Sequence, residues 1–318
     1  MLNCRLKTDR LTDTYTVKKI LAYTGGLLGV MLLCATLFSQ QLIIDRQVLI
    51  HMNDAAGRIR EKIVRDMPQA SQPEQQEHII PEEQTVVYNL EIPRFTEHRA
   101  ELYIEHLAYT ASYHPAWHIP NWVAYCLETH ELDGKQARTD KFLPDPMAGD
   151  DPVVTQDYAK CGYDRGHMAP AADMKWSEQA MTESFYMTNI CPQNHNNNAG
   201  DWNDLEELVR GVVRQYGRVY VCCGPVVSDT TQTIGTKRKI VVPQAFFKVL
   251  LRQLTDGTWT AIAFVMPNAP GNRPLMTYMV PVREVEQSTG IDFFPTLPDS
   301  IENAIEQTYT PAHWTLDR

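Results

Sequence analysis

The stretch Asp164-Arg165-Gly166-His167-Met168-Ala169-Pro170-Ala171-Ala172-Asp173-Met174 places a cation, a backbone hinge and an imidazole side by side. Ala169-Pro170 prevents regular structure from continuing, because proline lacks an N–H and restricts the residue before it. Imidazole has the intrinsic pKa to take a proton from water near neutrality. Arg165 keeps its charge at any accessible pH and can hold an anionic oxygen through two donors. Further along, Thr188-Asn189-Ile190-Cys191-Pro192-Gln193 leads into Asn198-Ala199-Gly200-Asp201-Trp202-Asn203-Asp204-Leu205-Glu206. An asparagine amide oxygen is a hard donor suited to Mg²⁺, which binds through few protein groups and keeps most of its waters. A base, a fixed cation and a hard-metal donor are the parts needed to split a phosphodiester.

Around these motifs the pattern alternates between strand and helix. β-Branched and aromatic enrichment predicts strands over Thr85–Leu90, Leu102–Tyr113 and Trp122–Leu127. A second strand-rich block covers Val219–Cys223, Lys239–Val242, Phe246–Leu254 and Trp259–Met266, bounded by Gly and Pro. Helical spacing marks Ser177–Met187, Ala199–Tyr216 and Val282–Ser288. Strand runs interrupted by a central helical section predict an α+β domain with a largely antiparallel sheet.

The two motif segments resemble the DNA/RNA non-specific endonucleases, the ββα-metal or His-Me finger family. Ile119-Pro120-Asn121-Trp122-Val123-Ala124-Tyr125, Gly224-Pro225 and Val242-Pro243-Gln244-Ala245-Phe246-Phe247-Lys248 extend the likeness over residues 86–290. An Asp-Arg-Gly-His tetrapeptide alone has little specificity; the full string, followed at this spacing by Asn-x-x-Pro-Gln and Asn-x-x-x-Trp-x-x-Leu-Glu, has much more. The resemblance implies a ββα-metal nuclease domain, preceded here by an apolar N-terminal segment. It implies Mg²⁺ as cofactor, with Mn²⁺ able to substitute, and products with 5′-phosphate ends.

It also implies roles. His167 is the general base that activates water, and Arg165 stabilises charge building on the phosphorus. Asn196 and Asn197 have the same donor as Asn198, but the family pattern lands on Asn198 as metal ligand and on Glu206 as the carboxylate orienting a metal-bound water. On a straight helix, Asn198, Trp202 and Glu206 would share a face. Asn189 is expected to bind the imidazole through its side-chain oxygen, or to serve structure alone. Lys237-Arg238-Lys239 is the only dense basic cluster after residue 85, and either tracks phosphate beyond the scissile bond or is a solvated turn. Cys161, His167, Cys191 and His195 can also be read as a zinc set, which would make the chain a binding module. The paired Cys-x₂₋₄-Cys spacing usual in such sites is missing. A nuclease toxin delivered elsewhere is a further reading, though no separable delivery domain is visible.

The formal charge is −10, and charges balance over residues 1–85, so the excess of acid lies in 86–318. This argues against a broad basic face for holding nucleic acid and leaves local cations and a metal to meet DNA and RNA substrates. Residues 1–19 are basic, and Ile20–Phe38 runs without a charge for the thickness of a bilayer. This predicts a signal anchor within 20–44, a cytoplasmic N-terminus and a catalytic domain outside the cytoplasm. Periplasm or cell exterior fits, and a mitochondrial inner membrane is compatible. Apolar residues recurring from Asp45 to Arg65 suggest an amphipathic helix, suited either to homodimer formation or to lying on its own domain or the bilayer. Pro68, Pro73 and Pro81 mark 66–85 as a tether, so the linker region 45–85 separates the anchor from the nuclease domain 86–318. Cys126, Cys161, Cys191, Cys222 and Cys223 are odd in number, and the adjacent pair should point to opposite sheet faces.

The expected outcome is that full-length protein stays in membranes through a carbonate wash while an 86–318 fragment is soluble, because hydrophobic retention ignores ionic strength. A mature N-terminus found near residue 39 would instead identify a cleaved signal peptide.

Overall fold

The computed structural model describes residues 89–315, all within the second of the chain's two units, residues 83–318. The expected membrane segment, amphipathic helix and tether lie outside the described residues. Among those described, no helix is long and apolar enough to cross a membrane.

The strands in chain order are β1 (Arg94–Phe95), β2 (Leu102–Glu105), β3 (Thr110–His114), β4 (Ile119–Glu128), β5 (Asp164–His167), β6 (Ile190–Gln193), β7 (Arg218–Val226), β8 (Thr233–Ile234), β9 (Ile240–Val241), β10 (Ala245–Gln253), β11 (Trp259–Pro267), β12 (Met279–Val280) and β13 (Ile291–Asp292). The α-helices are α1 (Glu178–Ser184), α2 (Trp202–Tyr216), α3 (Val282–Thr289) and α4 (Asp299–Gln307). Seven strands form one antiparallel sheet in the order β12-β11-β10-β7-β4-β3-β2. The mixed α/β architecture with a large antiparallel sheet matches the sequence expectation.

Side-chain alternation explains why the central strands read as near-continuous apolar runs: both sheet faces are covered. Val123, Tyr125, Leu127, Val219, Val221, Cys223, Phe246 and Leu250 enter one core with Trp202, Leu205 and Val209 of α2. Trp122, Ala124, Cys222, Phe247, Val249 and Leu251 enter a second core with Val282 and Val285 of α3 and Ile305 of α4. Cys222 and Cys223 thus face opposite ways, and all five cysteines among the described residues are free.

Four local expectations need correction. Asn89 and Leu90 form a turn rather than the end of a strand, with Asn89 at φ 59°. Leu102–Tyr113 is two strands: His106 N–H donates to Tyr109 O at 2.9 Å, closing a turn, while Glu183 accepts from Leu107 N–H at 2.8 Å. Ala199–Tyr216 is not one regular helix, because Asn197–Asp201 forms a π-turn with Gly200 at φ −109°, ψ −109° before α2 begins. Helix α4 was not expected; only Ile301 and Ile305 mark its apolar side, too short a pattern to stand out.

Gly224 occupies a close crossing of strands. A Cβ there would lie 2.6 Å from the Asn121 backbone oxygen and 3.1 Å from the Phe247 ring. Gly224→Ala should cost about 1–3 kcal/mol by overpacking. A melting temperature lowered by about 3–10 °C would register this, and an unchanged one would refute it.

Candidate active site

Strands β5 and β6 pair antiparallel, with His167 opposite Ile190 and Asp164 opposite Gln193. The π-turn and α2 follow directly, so the motif residues lie on two strands and one helix. Arg138, Arg165, His167, Asn198, Glu206 and Arg210 line a cleft of about 260 Å³. Three guanidinium groups thus gather in an otherwise acidic chain, as its net charge required of local cations. A roomier groove of about 810 Å³ runs along residues 92–101. Its Arg94 and Arg99 already donate to the carbonyls of Pro295 and Thr289, both at 2.6 Å.

His167 is 8 % exposed. Its ring packs 5.3 Å from Phe142 and 4.8 Å, edge-on at 84°, from Phe185. Burial, reinforced by Arg138 and Arg165, pushes its pKa down to about 3, so the ring is neutral across the physiological range. Nε2 is buried without a hydrogen-bond partner, which leaves Nδ1 as the nitrogen open to the cleft. Arg165 lies with Cζ 4.3 Å over the Phe142 ring and forms no ion pair among the described residues. Phe142 therefore supports both the imidazole and the guanidinium.

Asn189 does not touch the imidazole. Its Oδ1 accepts from Ala169 N–H at 2.9 Å, and its Nδ2 donates to the carbonyls of Ala169 and Ser184, each at 2.8 Å. Its backbone oxygen accepts from Met168 N–H at 3.0 Å. The expected bond to His167 is thus replaced by a clamp on the two residues after it, because Ala169-Pro170 leaves strand pairing and needs other partners.

Asn198 is oriented by a neighbour. Its Nδ2 donates to Asp164 Oδ2 at 2.9 Å, which leaves Oδ1 free to face the cleft. His195 Nδ1 contacts the same carboxylate oxygen at 2.9 Å. Asn197 is buried and fixed between Gln193 and the Pro267 carbonyl, and exposed Asn196 does not line the cleft. Of the three asparagines, only Asn198 reaches the site. Trp202 does not share its face. The widened turn sends the indole into the core at 1 % exposure, against Phe246 and beneath the Lys248 ammonium, 4.5 Å from the ring centre.

Glu206 is half-buried and makes no ion pair among the described residues. Burial raises its pKa, Lys248 opposes the rise, and the outcome is about 7. Glu207 is an exposed rim residue paired with Arg210 at 2.8 Å. Arg210 also bonds Asp173 at 2.7 Å, with both side chains buried. Asp173 in turn accepts from Tyr125 at 3.2 Å, so a buried ionic layer underlies the cleft.

The basic cluster is elsewhere engaged. Arg238 is 9 % exposed and bonds Asp157 at 3.0 Å and Asp151 at 2.5 Å. Lys237 pairs with Asp151 at 3.1 Å, Lys239 donates to Gly235 O at 3.4 Å, and none of the three lines the cleft. Arg238 and Lys237 thus fasten their loop to Asp151 and Asp157, Lys239 contacts only its own loop, and the three lie away from the cleft that holds His167. The zinc reading fails, since Cys161 bonds locally to Tyr163, Cys191 is in the core and His195 is exposed on Asp164. Those four side chains do not converge.

The model of the DNA/RNA non-specific endonuclease family matches residues 89–300, which contain every cleft residue named above. The chain belongs to that family. Among its relatives, mitochondrial nuclease EXOG of Danio rerio is 40 % identical over 202 residues, covering 58 % of this chain and 59 % of that protein. Mitochondrial endonuclease G of Bos taurus is 34 % identical over 203 residues, covering 60 % of this chain and 68 % of that one. The chain therefore spans less than two thirds of the length of the zebrafish relative. The crystal structure of an EndoG/EndoGI complex aligns with TM-score 0.58 at 29 % identity, covering 64 % of this chain and 89 % of that one.

Sequence reasoning missed Arg138, Asn203, Arg210 and the orienting role of Asp164. Arg138 sits in coil with no periodic signal. Arg210 lies one turn beyond Glu206 on α2, at the i+4 position, and that spacing could have placed it on the same face. Arg210→Leu should leave Asp173 buried without its cation and lower stability by about 3 kcal/mol. Urea unfolding checks this, and the double variant with Asp173→Asn should recover much of the loss.

Proposed function

We propose that this family member is a Mg²⁺-dependent endonuclease that hydrolyses phosphodiester bonds in DNA and RNA without sugar preference, Mn²⁺ being able to replace Mg²⁺. The observation that carries the reading is the convergence of His167, the Asp164-oriented Asn198 and Glu206 on one arginine-lined cleft. The donor set fits a hard divalent cation: a free amide oxygen, a nearby carboxylate and room for water. Asn198 would hold the ion directly and Glu206 would accept hydrogen bonds from its waters. When bound, such an ion supplies Lewis-acid stabilisation of charge on phosphoryl and leaving oxygens.

The chain's own residues do the rest. Neutral His167 receives a proton at Nδ1 from the attacking water, which adds to phosphorus in line. A shallow basicity limits the imidazole as a base, but its unprotonated form is always present. Arg165, with Arg138 and Arg210 on the same cleft, meets the charge that develops on the phosphate. Asn189 holds the chain after His167 and so acts as a positioning residue. Cleavage at the 3′ oxygen leaves 5′-phosphate ends. The cleft offers no aromatic stacking platform for bases, in keeping with little sequence preference.

The reading extends to placement. The uncharged run Ile20–Phe38 serves as a membrane anchor, 66–85 as a tether and the nuclease unit works outside the cytoplasm, with self-association through 45–65 giving a homodimer. The relatives named above are mitochondrial, so an inner-membrane setting is the alternative compartment.

His167→Ala should slow plasmid and RNA cleavage by roughly 10²–10⁴ at saturating Mg²⁺. Asn198→Ala should raise the Mg²⁺ requirement steeply, while Asn196→Ala leaves it alone, and chelator should abolish cleavage by the wild type. Retention of activity within tenfold in His167→Ala, or chelator-resistant cleavage, would remove this mechanism.

A further inference from the structure

On the sheet face opposite the cleft, α3, β13 and α4 bring three carboxylates together. Ligand oxygens of Glu286, Asp292 and Glu306 all lie within 4.8 Å of one another, the one such convergence among the described residues. Glu306 is 1 % exposed and Glu286 8 %. Glu286 Oε1 accepts from Phe293 N–H at 3.0 Å, and its Oε2 faces Arg283 at 2.9 Å. Glu306 Oε2 accepts from Arg283 at 2.7 Å. Glu306 Oε1 is buried and meets no donor, and the Glu306 and Glu286 carboxyl groups face one another.

That donorless oxygen, buried and aimed into the cluster, calls for a cation or a proton, because an ionised oxygen in an apolar setting is costly unless something positive meets it. Its helix neighbour Ile305 enters the second core together with Val285, Phe293 and Leu297. Three carboxylates against the single guanidinium of Arg283 leave the cluster two positive charges short. We propose that Glu286, Asp292 and Glu306 form a structural site for a divalent cation, and that the cation is Ca²⁺.

The choice follows from the donors. All are hard oxygens, which excludes metals that favour nitrogen or sulfur. Ca²⁺ accepts six to eight oxygens in irregular arrangements, whereas Mg²⁺ demands a near-ideal octahedron. Carboxylates fixed by two helices and a strand, with half-exposed Asp292 admitting water, suit the irregular case. The ion would clamp α4 onto α3 and β13, remote from the cleft and without part in its chemistry.

The competing account is one proton shared between Glu286 and Glu306. Burial and the neighbouring Glu286 push the Glu306 carboxyl up to about 8, with Arg283 opposing. Asp299, Glu302 and Asp292 add negative charge on this side, and Arg94 adds a positive one. In that account the proton's contribution to stability is complete below the ordinary carboxylate range and is lost as pH rises toward about 8.

Full-length Asn198→Ala protein separates these readings, since it lacks the proposed ligand for a catalytic ion. Titration calorimetry with CaCl₂ should show one site. At a hundredfold excess over its Kd, Ca²⁺ should raise the melting temperature by about 5 °C or more, increasingly so at higher pH as the proton is displaced. Adding Glu306→Gln should abolish both effects. Should that variant not fold, Asp292→Asn, at a half-exposed position, should weaken Ca²⁺ about tenfold or more. Absence of binding heat, or equal affinity with and without Asp292→Asn, would overturn the proposal. A melting temperature that ignores Ca²⁺ and falls with rising pH would establish the shared proton instead.

Discussion

The central strands of the large sheet are covered on both faces, and most of the molecule follows from that constraint. A strand with no wet side must bury alternate residues into two different cores, and any polar group it carries must be matched by the layers packed on it. Lys248 shows the consequence. It lies in β10 at full burial, on the face toward α2, with its ammonium over the Trp202 ring and its field opposing the rise that burial imposes on the carboxyls of Glu206 and Asp173. The cleft is thus assembled on one face over a buried layer of charge. The opposite face carries α3 and α4 and a separate acidic cluster.

Within the cleft, function depends less on the reacting residues than on what fixes them. Asp164 settles which end of the Asn198 amide faces outward, and so decides whether an oxygen or an NH₂ is presented. Phe142 lies between Arg165 and His167 and keeps both from collapsing elsewhere. Asn189 ties down Met168 and Ala169 where the strand ladder ends. Each contact is modest alone, but together they hold the geometry with little left to rearrange during reaction.

Much of the fold was readable because burial on both faces writes β4, β7, β10 and β11 as near-continuous apolar runs. The site residues on β5 and α2 were readable because a compact motif carried them. What could not be read shares a physical cause: it depends on partners distant in sequence. Arg238 looked like a free cation until Asp151 and Asp157 were seen beside it. Asn189 looked like an imidazole partner because the sequence places it near His167 but cannot say which atoms of that loop lack hydrogen bonds. Arg138 comes from coil, where no periodicity announces a position.

The π-turn at Asn197–Asp201 has a geometric consequence for how this motif can vary. On a regular helix, an offset of eight residues leaves two side chains about 80° apart around the axis. Asn198 and Glu206 are separated by that offset, yet they line one cleft. The widened turn accommodates an additional residue and takes back much of the angle. Their spacing is therefore not a whole number of helical turns but turns plus one inserted residue. Chain length between Asn198 and Glu206 is then a geometric variable in its own right: a residue lost together with the widened turn leaves about two ordinary turns and keeps amide and carboxylate on one face, whereas a residue lost from α2 with the widened turn intact would swing the carboxylate away by about 100°.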